Sequence, residues 1–257
     1  MRIISQISIA TSLILCASQS IYAAECSAKS GAQTVPLLEL YTSEGCSSCP
    51  PADKWLSGMK VDASKVTPLA FHVDYWDYIG WKDRFSKAEY SDRQRKTAAF
   101  GGASFVYTPQ FVFNGRDFRG SDDARLNSAI QSQQKLASRA NLKLDAMNDA
   151  DGGITLRANA EAAASHVDIF VALYENKLVS QVKAGENSGR ELRHDYVVRE
   201  LFGAYQMNNQ HVFSKDFTLN ADWKKRGYKL ENMGAVIFVQ DSSNGEILQS
   251  LALKFCS

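Results

Sequence analysis

Short apolar runs separated by polar turn residues set the pattern of the chain. Residues 35–41 (VPLLELY) are mostly apolar and predict a buried strand, and residues 66–73 (VTPLAFHV) predict a second one. Between them, apolar positions three and four residues apart, from Trp55 to Met59, predict a short helix. A strand, a helix and a strand in this order predict a parallel pair with a right-handed crossover.

A polar segment follows the second strand. Ser86 and Glu89 have the spacing of a capping box, and the glycine pair at 101–102 is typical of a helix end. The apolar stripe between them is sparse, so residues 75–102 or so predict a helical insertion on the surface.

A hairpin and a closing helix complete the first half of the chain. Asn114-Gly115 supplies the positive φ of a tight turn and lies between two short strand-like segments, which predicts a hairpin. Ser121 then caps a helix.

From about Asn141 the pattern changes to short alternating strands separated by polar turns. Such a series favours an all-β sandwich of immunoglobulin-like type. A mature chain of about 230 residues exceeds the usual length of one domain. We therefore expect one domain over residues 25–140 and a β-sandwich domain over residues 141–257.

The first 24 residues resemble a signal peptide. A short charged start at Arg2 precedes an apolar run at 7–16 and the small residues Ala23 and Ala24. The run is shorter than the roughly 20 apolar residues of a spanning helix, so we expect no stable membrane insertion. Cys16 follows Leu15 rather than a small residue, which disfavours a lipid anchor. The predicted location is periplasmic or secreted.

Charge argues against one class of partner. The chain has 29 basic and 28 acidic side chains, a net charge of +1. Nucleic-acid binding depends on clustered Lys and Arg that neutralise phosphates, so no nucleic-acid partner is expected.

Four cysteines remain after export, in a compartment where disulfides form readily. Cys46 and Cys49 are close in sequence, whereas Cys26 and Cys256 lie at the two ends. The economical pairing is Cys46 with Cys49 and Cys26 with Cys256, the latter a structural disulfide. The alternative leaves the end cysteines free or paired between molecules.

The segment YTSEGCSSCPP carries the candidate chemistry. It joins a predicted strand to a predicted helix, and a thiol at a helix amino terminus has its thiolate stabilised by the helix dipole. Cys46 and Cys49 could form a redox pair, two metal ligands or an inert bridge. Thr108-Pro109 precedes the hairpin; a cis bond there would expose the Thr108 backbone to an extended peptide, and the alternative is an ordinary trans proline.

Several motifs together resemble known proteins. YTSEGCSSC, Thr108-Pro109, the Asn-Gly hairpin and the closing helix look like the thioredoxin-like fold. TSEGCSSCPPAD, FHVDYWDYIGWKD, YTPQ, GENSGRELRH and YVVR are similar to a family of bacterial secreted proteins catalogued only as a domain of unknown function. The resemblance implies an α/β thioredoxin-like domain before the sandwich, a dithiol site at Cys46 and Cys49, and a cis-proline loop at Thr108-Pro109.

One expected residue is missing from this pattern. Typical thioredoxins have a buried acid six residues before the first cysteine, where this chain has Leu40. Glu39, Asp74 or His72 are candidates for proton transfer in its place, and each can also be a plain hydrogen-bonded residue at a strand end.

Two further segments offer groups near the cysteines. Tyr75, Trp76 and Trp81 can form an apolar wall that binds substrate, or can pin the insertion to the core. The polar segment that holds Arg190 and His194 is expected to be a loop fastened to the first domain rather than a separate catalytic centre.

The predicted function is that of an exported thiol-disulfide oxidoreductase. Cys46 attacks a substrate disulfide and Cys49 resolves the mixed intermediate, with no cofactor. The expected partners are exported proteins that bear thiols or disulfides, together with a redox partner protein. Two alternatives stay open: Cu(I) handling by Cys46, Cys49 and His72, and a non-catalytic secreted binding protein with a structural Cys46-Cys49 disulfide.

Overall fold

The computed structural model describes residues 25–149, 152–219 and 222–256. The predicted signal peptide at residues 1–24 lies outside the described residues. Within the described part of the chain, no helix has the length and apolar character needed to cross a membrane.

The described chain is mostly β. Its first strands are β1 (Glu25–Lys29), β2 (Leu37–Thr42), β3 (Thr67–His72), β4 (Gln110–Phe113), β5 (Arg116–Phe118) and β6 (Ala140–Asn148). Its later strands are β7 (Ile154–Ala162), β8 (Val167–Glu175), β9 (Leu178–Gln181), β10 (Glu191–His194), β11 (Val197–Tyr205), β12 (Val212–Leu219), β13 (Met233–Asp241) and β14 (Ile247–Lys254). The helices are α1 (Pro50–Gly58), α2 (Ala88–Phe100), α3 (Asp123–Gln133) and the short α4 (Asp222–Lys225).

An eight-stranded mixed sheet runs through both halves of the chain. Its order is β14-β13-β8-β11-β3-β2-β4-β5, and the parallel pairs are β11 with β3 and β3 with β2. A four-stranded antiparallel sheet, β1-β6-β7-β12, and the hairpin β9-β10 complete the strands.

The predicted fold class, an α/β thioredoxin-like domain followed by an all-β immunoglobulin-like sandwich domain, is therefore wrong. Strands of the later half share one large mixed sheet with strands of the first half, where β11 meets β3 at Val197 and Ala70. The amide of Ala70 donates to the carbonyl of Tyr196, so the apolar edge of β3 is covered by another strand. Short apolar runs predict that strands form but not which sheet they join. The position of the domain boundary stays a prediction.

Three apolar cores fix this arrangement. Helices α1 and α3 cover one face of β2–β5, where Leu40, Leu56 and Leu126 are buried together. Helix α2 covers the other face, where Tyr90 packs near residues of both halves of the chain. The four-stranded sheet covers the opposite face of β8 and β13. Successive residues of β8 point into different cores, as the pleat of a strand requires.

At two helices, the residue next to the predicted one occupies the N-cap position. The residue before α2 is Lys87, with no side-chain cap, because the Ser86 hydroxyl binds Asp77 and the Asp83 carbonyl instead. Asp122, rather than Ser121, caps α3 by accepting from the amide of Arg125. The Asn114-Gly115 hairpin is confirmed, with φ of 52° and 80°.

Candidate functional site

The cysteine turn lies between the carboxyl end of β2 and the amino end of α1. Cys49 directly precedes α1, and its carbonyl accepts from the amides of Ala52 and Asp53. Pro50 opens the helix, where a missing N–H costs nothing. Cys46 and Cys49 form a disulfide, and Cys26 and Cys256 form a second one, so both predicted pairings are confirmed.

Both sulfur-bearing residues of the turn are covered. Cys46 is 1% exposed and Cys49 is 0% exposed. Ser47 and Ser48 between them are exposed, and the Ser48 hydroxyl lies 3.2 Å from the Cys46 sulfur. A large substrate therefore meets the serines, not the sulfurs, in this conformation.

A loop from the later half of the chain, residues 182–190, lies over the turn; we call it the covering loop. The buried Asn187 side chain donates to the carbonyls of Glu44 and Cys46, both at 2.9 Å. Glu186 accepts from the amide of Ser47 at 3.1 Å, and Arg190 donates to the Asn187 side chain at 2.7 Å. The segment is thus fastened to the first half of the chain.

Thr108-Pro109 is a cis peptide bond. The Trp76 indole donates to the Thr108 hydroxyl at 2.7 Å. Trp76 also packs so closely on Gly45 that a Cβ at Gly45 would lie 3.1 Å from the Trp76 Cβ. Trp76 therefore links Thr108 to the residue before Cys46.

The other aromatic residues of the insertion are held by hydrogen bonds. Tyr75 donates to Gln94 at 3.1 Å, and burial raises the pKa of Tyr75. Trp81 donates to Glu44 Oε2 at 2.7 Å and packs against Gly185 of the covering loop. Trp76 and Trp81 thus lie beside the turn, whereas the hydroxyl of Tyr75 is held at α2.

The two carboxylates predicted for proton transfer have other partners. Glu39 is buried on the α2 face of the sheet, where it accepts from Arg93 Nε at 2.7 Å and from the Tyr41 hydroxyl at 3.1 Å. Asp74 accepts from the Ser91 hydroxyl of α2 at 2.5 Å. Cys49, by contrast, precedes α1 on the opposite face of the sheet from Glu39.

Five buried titratable residues meet behind the turn and form what we call the histidine–carboxylate cluster. Its members come from β3, β10, α1 and two loops: His72, His194, Asp53, Glu44 and Asp83. The rings of His72 and His194 are 4.9 Å apart between centroids and meet edge to face. His194 Nε2 lies 3.4 Å from Glu44 Oε1, and its Nδ1 lies 3.8 Å from Asp53 Oδ1.

The charges of this cluster act on one another. Burial lowers the pKa of His194, but its interactions with Asp53 and Glu44 outweigh burial and raise that pKa to about 10. Burial raises the pKa of Glu44 and of Asp83, yet His194 and His72, respectively, bring each pKa below its usual value. The carboxylates of Asp53 and Glu44 therefore favour the protonated form of His194.

Most of the cluster was missed by sequence reasoning, although its residues lie in the quoted motifs. TSEGCSSCPPAD holds Glu44 and Asp53, FHVDYWDYIGWKD holds His72 and Asp83, and GENSGRELRH holds Asn187 and His194. The available signal for the cluster was that three separate motifs each carry a histidine or an acidic residue. Their meeting point depends on β10 packing on α1, which no local pattern encodes.

Comparisons with known structures show a shared fold. The X-ray crystal structure of a protein from Agrobacterium tumefaciens is 24% identical, has a TM-score of 0.63, and the match covers 87% of this chain and 96% of that one. HBP35 of Porphyromonas gingivalis is 13% identical, has a TM-score of 0.65, and the match covers 88% of this chain and 76% of that one. No curated protein matches the chain.

One protein family matches most of the sequence. It is described as "Protein of unknown function (DUF1223)", and the match spans residues 37–240, which contain the cysteine turn, the covering loop and the whole histidine–carboxylate cluster. As the sequence motifs predicted, the chain belongs to this family of unknown function.

Proposed function

We propose that the protein is an exported thiol-disulfide oxidoreductase whose working group is the Cys46-Cys49 pair. The observation that supports this most is the disulfide itself, which lies at the carboxyl end of a central strand and the amino end of α1. Ligand and catalytic sites in open α/β sheets favour such a position. The two disulfides also fit an exported protein.

The reaction follows ordinary thiol-disulfide exchange. In the reduced protein, the Cys46 thiolate attacks one sulfur of a substrate disulfide and releases the other as a thiolate. The Cys49 thiolate then attacks the Cys46 sulfur, which releases the second substrate thiolate and forms the Cys46-Cys49 disulfide. Two electrons pass to the substrate, and the reverse sequence oxidises a dithiol.

Access to the sulfurs sets a condition on this reaction. Asn187 and Glu186 must release the turn before a protein disulfide can approach Cys46. Trp76 and Thr108 then form one side of the opening and supply an aromatic surface and a backbone for an extended peptide.

A second candidate is favoured by the burial of both cysteines. A bridge with 1% and 0% exposed residues suits a structural disulfide in a non-catalytic secreted binding protein. Cu(I) handling by Cys46, Cys49 and His72 has no comparable support, because both sulfurs are joined to each other.

The reduction potential of the Cys46-Cys49 pair separates the two candidates. Structural disulfides have potentials below about −300 mV, and catalytic ones lie higher. We expect a higher potential, together with mixed disulfides to exported proteins that accumulate in Cys49→Ser. Cys46→Ser is the matched control and should trap none. A potential below about −300 mV without trapped proteins would establish the structural bridge instead.

A further inference from the structure

Several polar atoms of the histidine–carboxylate cluster are buried without a hydrogen-bond partner. They are His72 Nε2, both ring nitrogens of His194, and Glu44 Oε1. Both histidines are at most 2% exposed. Buried polar atoms are nearly always paired, so a group of four at one place points to a missing ligand.

The opposite sides of His72, Glu44 and Asp53 are already held. His72 Nδ1 lies 2.6 Å from Asp83 Oδ2, which leaves only Nε2 of that ring free. Trp81 donates to Glu44 Oε2, and Thr42 donates to Asp53 Oδ2 at 3.0 Å. This arrangement matches metal sites, where outer hydrogen bonds orient each ligand and leave the inner atom free.

Three side chains of the cluster converge. Asp53, His72 and His194 each offer one ligand atom, and these three atoms lie within 4.8 Å of one another. Zinc bonds to nitrogen and oxygen are about 2.0–2.2 Å long, so side-chain rotations that bring the ligands about 1 Å closer would complete a site. Glu44 Oε1 lies 3.4 Å from His194 Nε2 and is not a member of this three-residue group.

We propose that this cluster binds one divalent transition metal ion of the zinc type, with His72, His194 and Asp53 as its protein ligands. The site uses neither cysteine and is independent of the proposed thiol-disulfide activity. Two imidazoles with carboxylates suit zinc and its neighbours in the first transition row better than calcium or magnesium, which prefer oxygen ligands alone.

Charge and access both agree with a cation. Glu44, Asp53 and Asp83 place three carboxylates in one buried region, and a divalent ion offsets two of their charges. A surface groove between α1 and β10 includes Asp53 and His194 among its lining residues, so it gives an entry path to the cluster. The competing occupant is a proton on His194, which would make a buried ion pair with Asp53 and Glu44.

Zinc titration of the chelator-treated, fully oxidised mature protein tests the proposal. Competition with a chromophoric chelator should show one Zn²⁺ per chain. His194→Gln should weaken binding at least about 100-fold. Asp83→Asn, which changes the partner of His72 and of the Glu44 and Phe85 amides, should weaken it about 10- to 100-fold. Equal binding in wild type and His194→Gln, or no binding at all, would overturn the proposal in favour of the proton.

The chain provides its own controls. Its four histidines divide into the two of the cluster and the exposed His166 and His211. His166→Gln and His211→Gln should bind Zn²⁺ as tightly as wild type. The double variant Cys46→Ser/Cys49→Ser should also bind it, so that loss of thiol activity and loss of the metal site are separate results.

A spectrum of the wild-type protein decides the matter if the cluster variants do not fold. Co²⁺ added to the oxidised protein should give the visible absorption of a low-coordinate nitrogen and oxygen site, without a thiolate charge-transfer band. A spectrum of hexa-aqua Co²⁺ would contradict the proposal, and so would a thiolate band.

Discussion

Asn187 joins the covering loop to the turn that holds the candidate disulfide. Its amide group donates to two carbonyls, those of Glu44 and Cys46, and accepts from Arg190. One side chain from the later half of the chain thus satisfies two buried backbone acceptors of the first half. A buried carbonyl without a donor costs about 1–3 kcal/mol, so this residue stabilises the closed position of the loop.

Asn187→Ala should loosen that closure. We expect a loss of about 1–3 kcal/mol in the free energy of unfolding, because the buried Glu44 carbonyl loses its Asn187 donor and the Cys46 carbonyl keeps only the Cys49 amide. Reduction of Cys46-Cys49 by dithiothreitol should become several-fold faster, since the cover over the sulfurs is weakened. The rate can be followed by thiol labelling and mass spectrometry.

Ser188→Ala is the control for this change. Ser188 is an exposed neighbour in the same loop, and its hydroxyl donates to Lys183 rather than to the turn. If both variants are reduced at the same rate as wild type, Asn187 does not control access to the disulfide.

Arg93 and Glu39 form a buried ion pair at the centre of the molecule. The guanidinium lies over the rings of Phe238, Phe170 and Phe71, at 4.8, 5.0 and 5.7 Å from their centroids. Since Phe170 and Phe238 belong to β8 and β13, the charge lies where α2 meets strands of the later half.

Arg93→Met should be strongly destabilising. The change leaves Glu39 buried without its cation, which typically costs 3–5 kcal/mol or so in the free energy of unfolding measured by urea titration. Glu39→Gln/Arg93→Met removes both charges and should recover much of that loss. Arg95→Met changes an exposed arginine of the same helix and should cost no more than about 1 kcal/mol. If Arg93→Met and Arg95→Met lowered the free energy of unfolding by similar amounts, the special cost of leaving Glu39 buried without its cation would be contradicted.

Individual residues were predictable to the extent that their chemistry is local. The pairing of Cys46 with Cys49 follows from their spacing, and Asn114-Gly115 follows from the backbone that a tight hairpin needs. Glu44, Asp53 and Asn187 read as ordinary turn or helix residues, because their partners lie far away in sequence. His194 was assigned to a fastened loop, but its position between two carboxylates depends on the tertiary fold.

At the scale of elements, the pairing of β1 with β6 shows how one polar contact supports a strand. Asp145 on β6 accepts from the Ser27 hydroxyl at 2.6 Å and from Lys143 Nζ at 2.8 Å. Burial raises the pKa of Asp145, but these contacts outweigh burial and hold that pKa below its usual value.

This contact should make the protein sensitive to acid. Because the pKa of Asp145 is lower in the folded than in the unfolded chain, its stabilising contribution is present above pH 4 or so and is lost as the pH falls below that value. In Asp145→Asn, the free energy of unfolding should therefore fall less between pH 7 and about pH 2.5 than in wild type. Glu161→Gln, which changes an exposed acid on β7, should follow the wild-type curve.

The positions of most elements were predictable, and their ends were less so. The apolar runs at 35–41 and 66–73 correspond to β2 and β3, since buried strands need continuous apolar side chains. The predicted capping box of α2 fails because Ser86 has a closer partner in Asp77. Such a cap forms only if no other acceptor is closer to the serine hydroxyl, and the spacing of residues in the sequence does not show which acceptors are close.

At the scale of the whole molecule, the long disulfide joins the two sheets. Cys26 lies on β1 of the four-stranded sheet, and Cys256 follows β14 at the edge of the eight-stranded sheet, 230 residues away. A bridge with this separation removes much more freedom from the unfolded chain than a short one does.

Removal of each bridge should show this difference. In the chain-entropy treatment, Cys26→Ser/Cys256→Ser loses about 5 kcal/mol, whereas Cys46→Ser/Cys49→Ser, with a separation of only 3 residues, loses about 2 kcal/mol. Thermal unfolding of both double variants under non-reducing conditions provides the comparison. If removal of the short bridge lowers the stability as much as removal of the long one, loop length does not govern the contribution of these disulfides.

The sequence did not indicate which sheet each strand joins. The alternating strands after residue 141 were predicted as a separate sandwich, but β8, β11, β13 and β14 continue the sheet of β2 and β3. Val197 and Ala70 pair through backbone atoms that every residue has, so neither side chain indicates the contact.

The sheet order also has a consequence for how the chain folds while it is being made. Synthesis proceeds from the amino end, so β3, which ends at His72, emerges long before its neighbour β11, which starts at Val197. Until then, one edge of an apolar strand has no partner and can pair with a similar edge of another nascent chain. The incomplete sheet is therefore prone to aggregation, and rapid arrival of the later half of the chain protects against it.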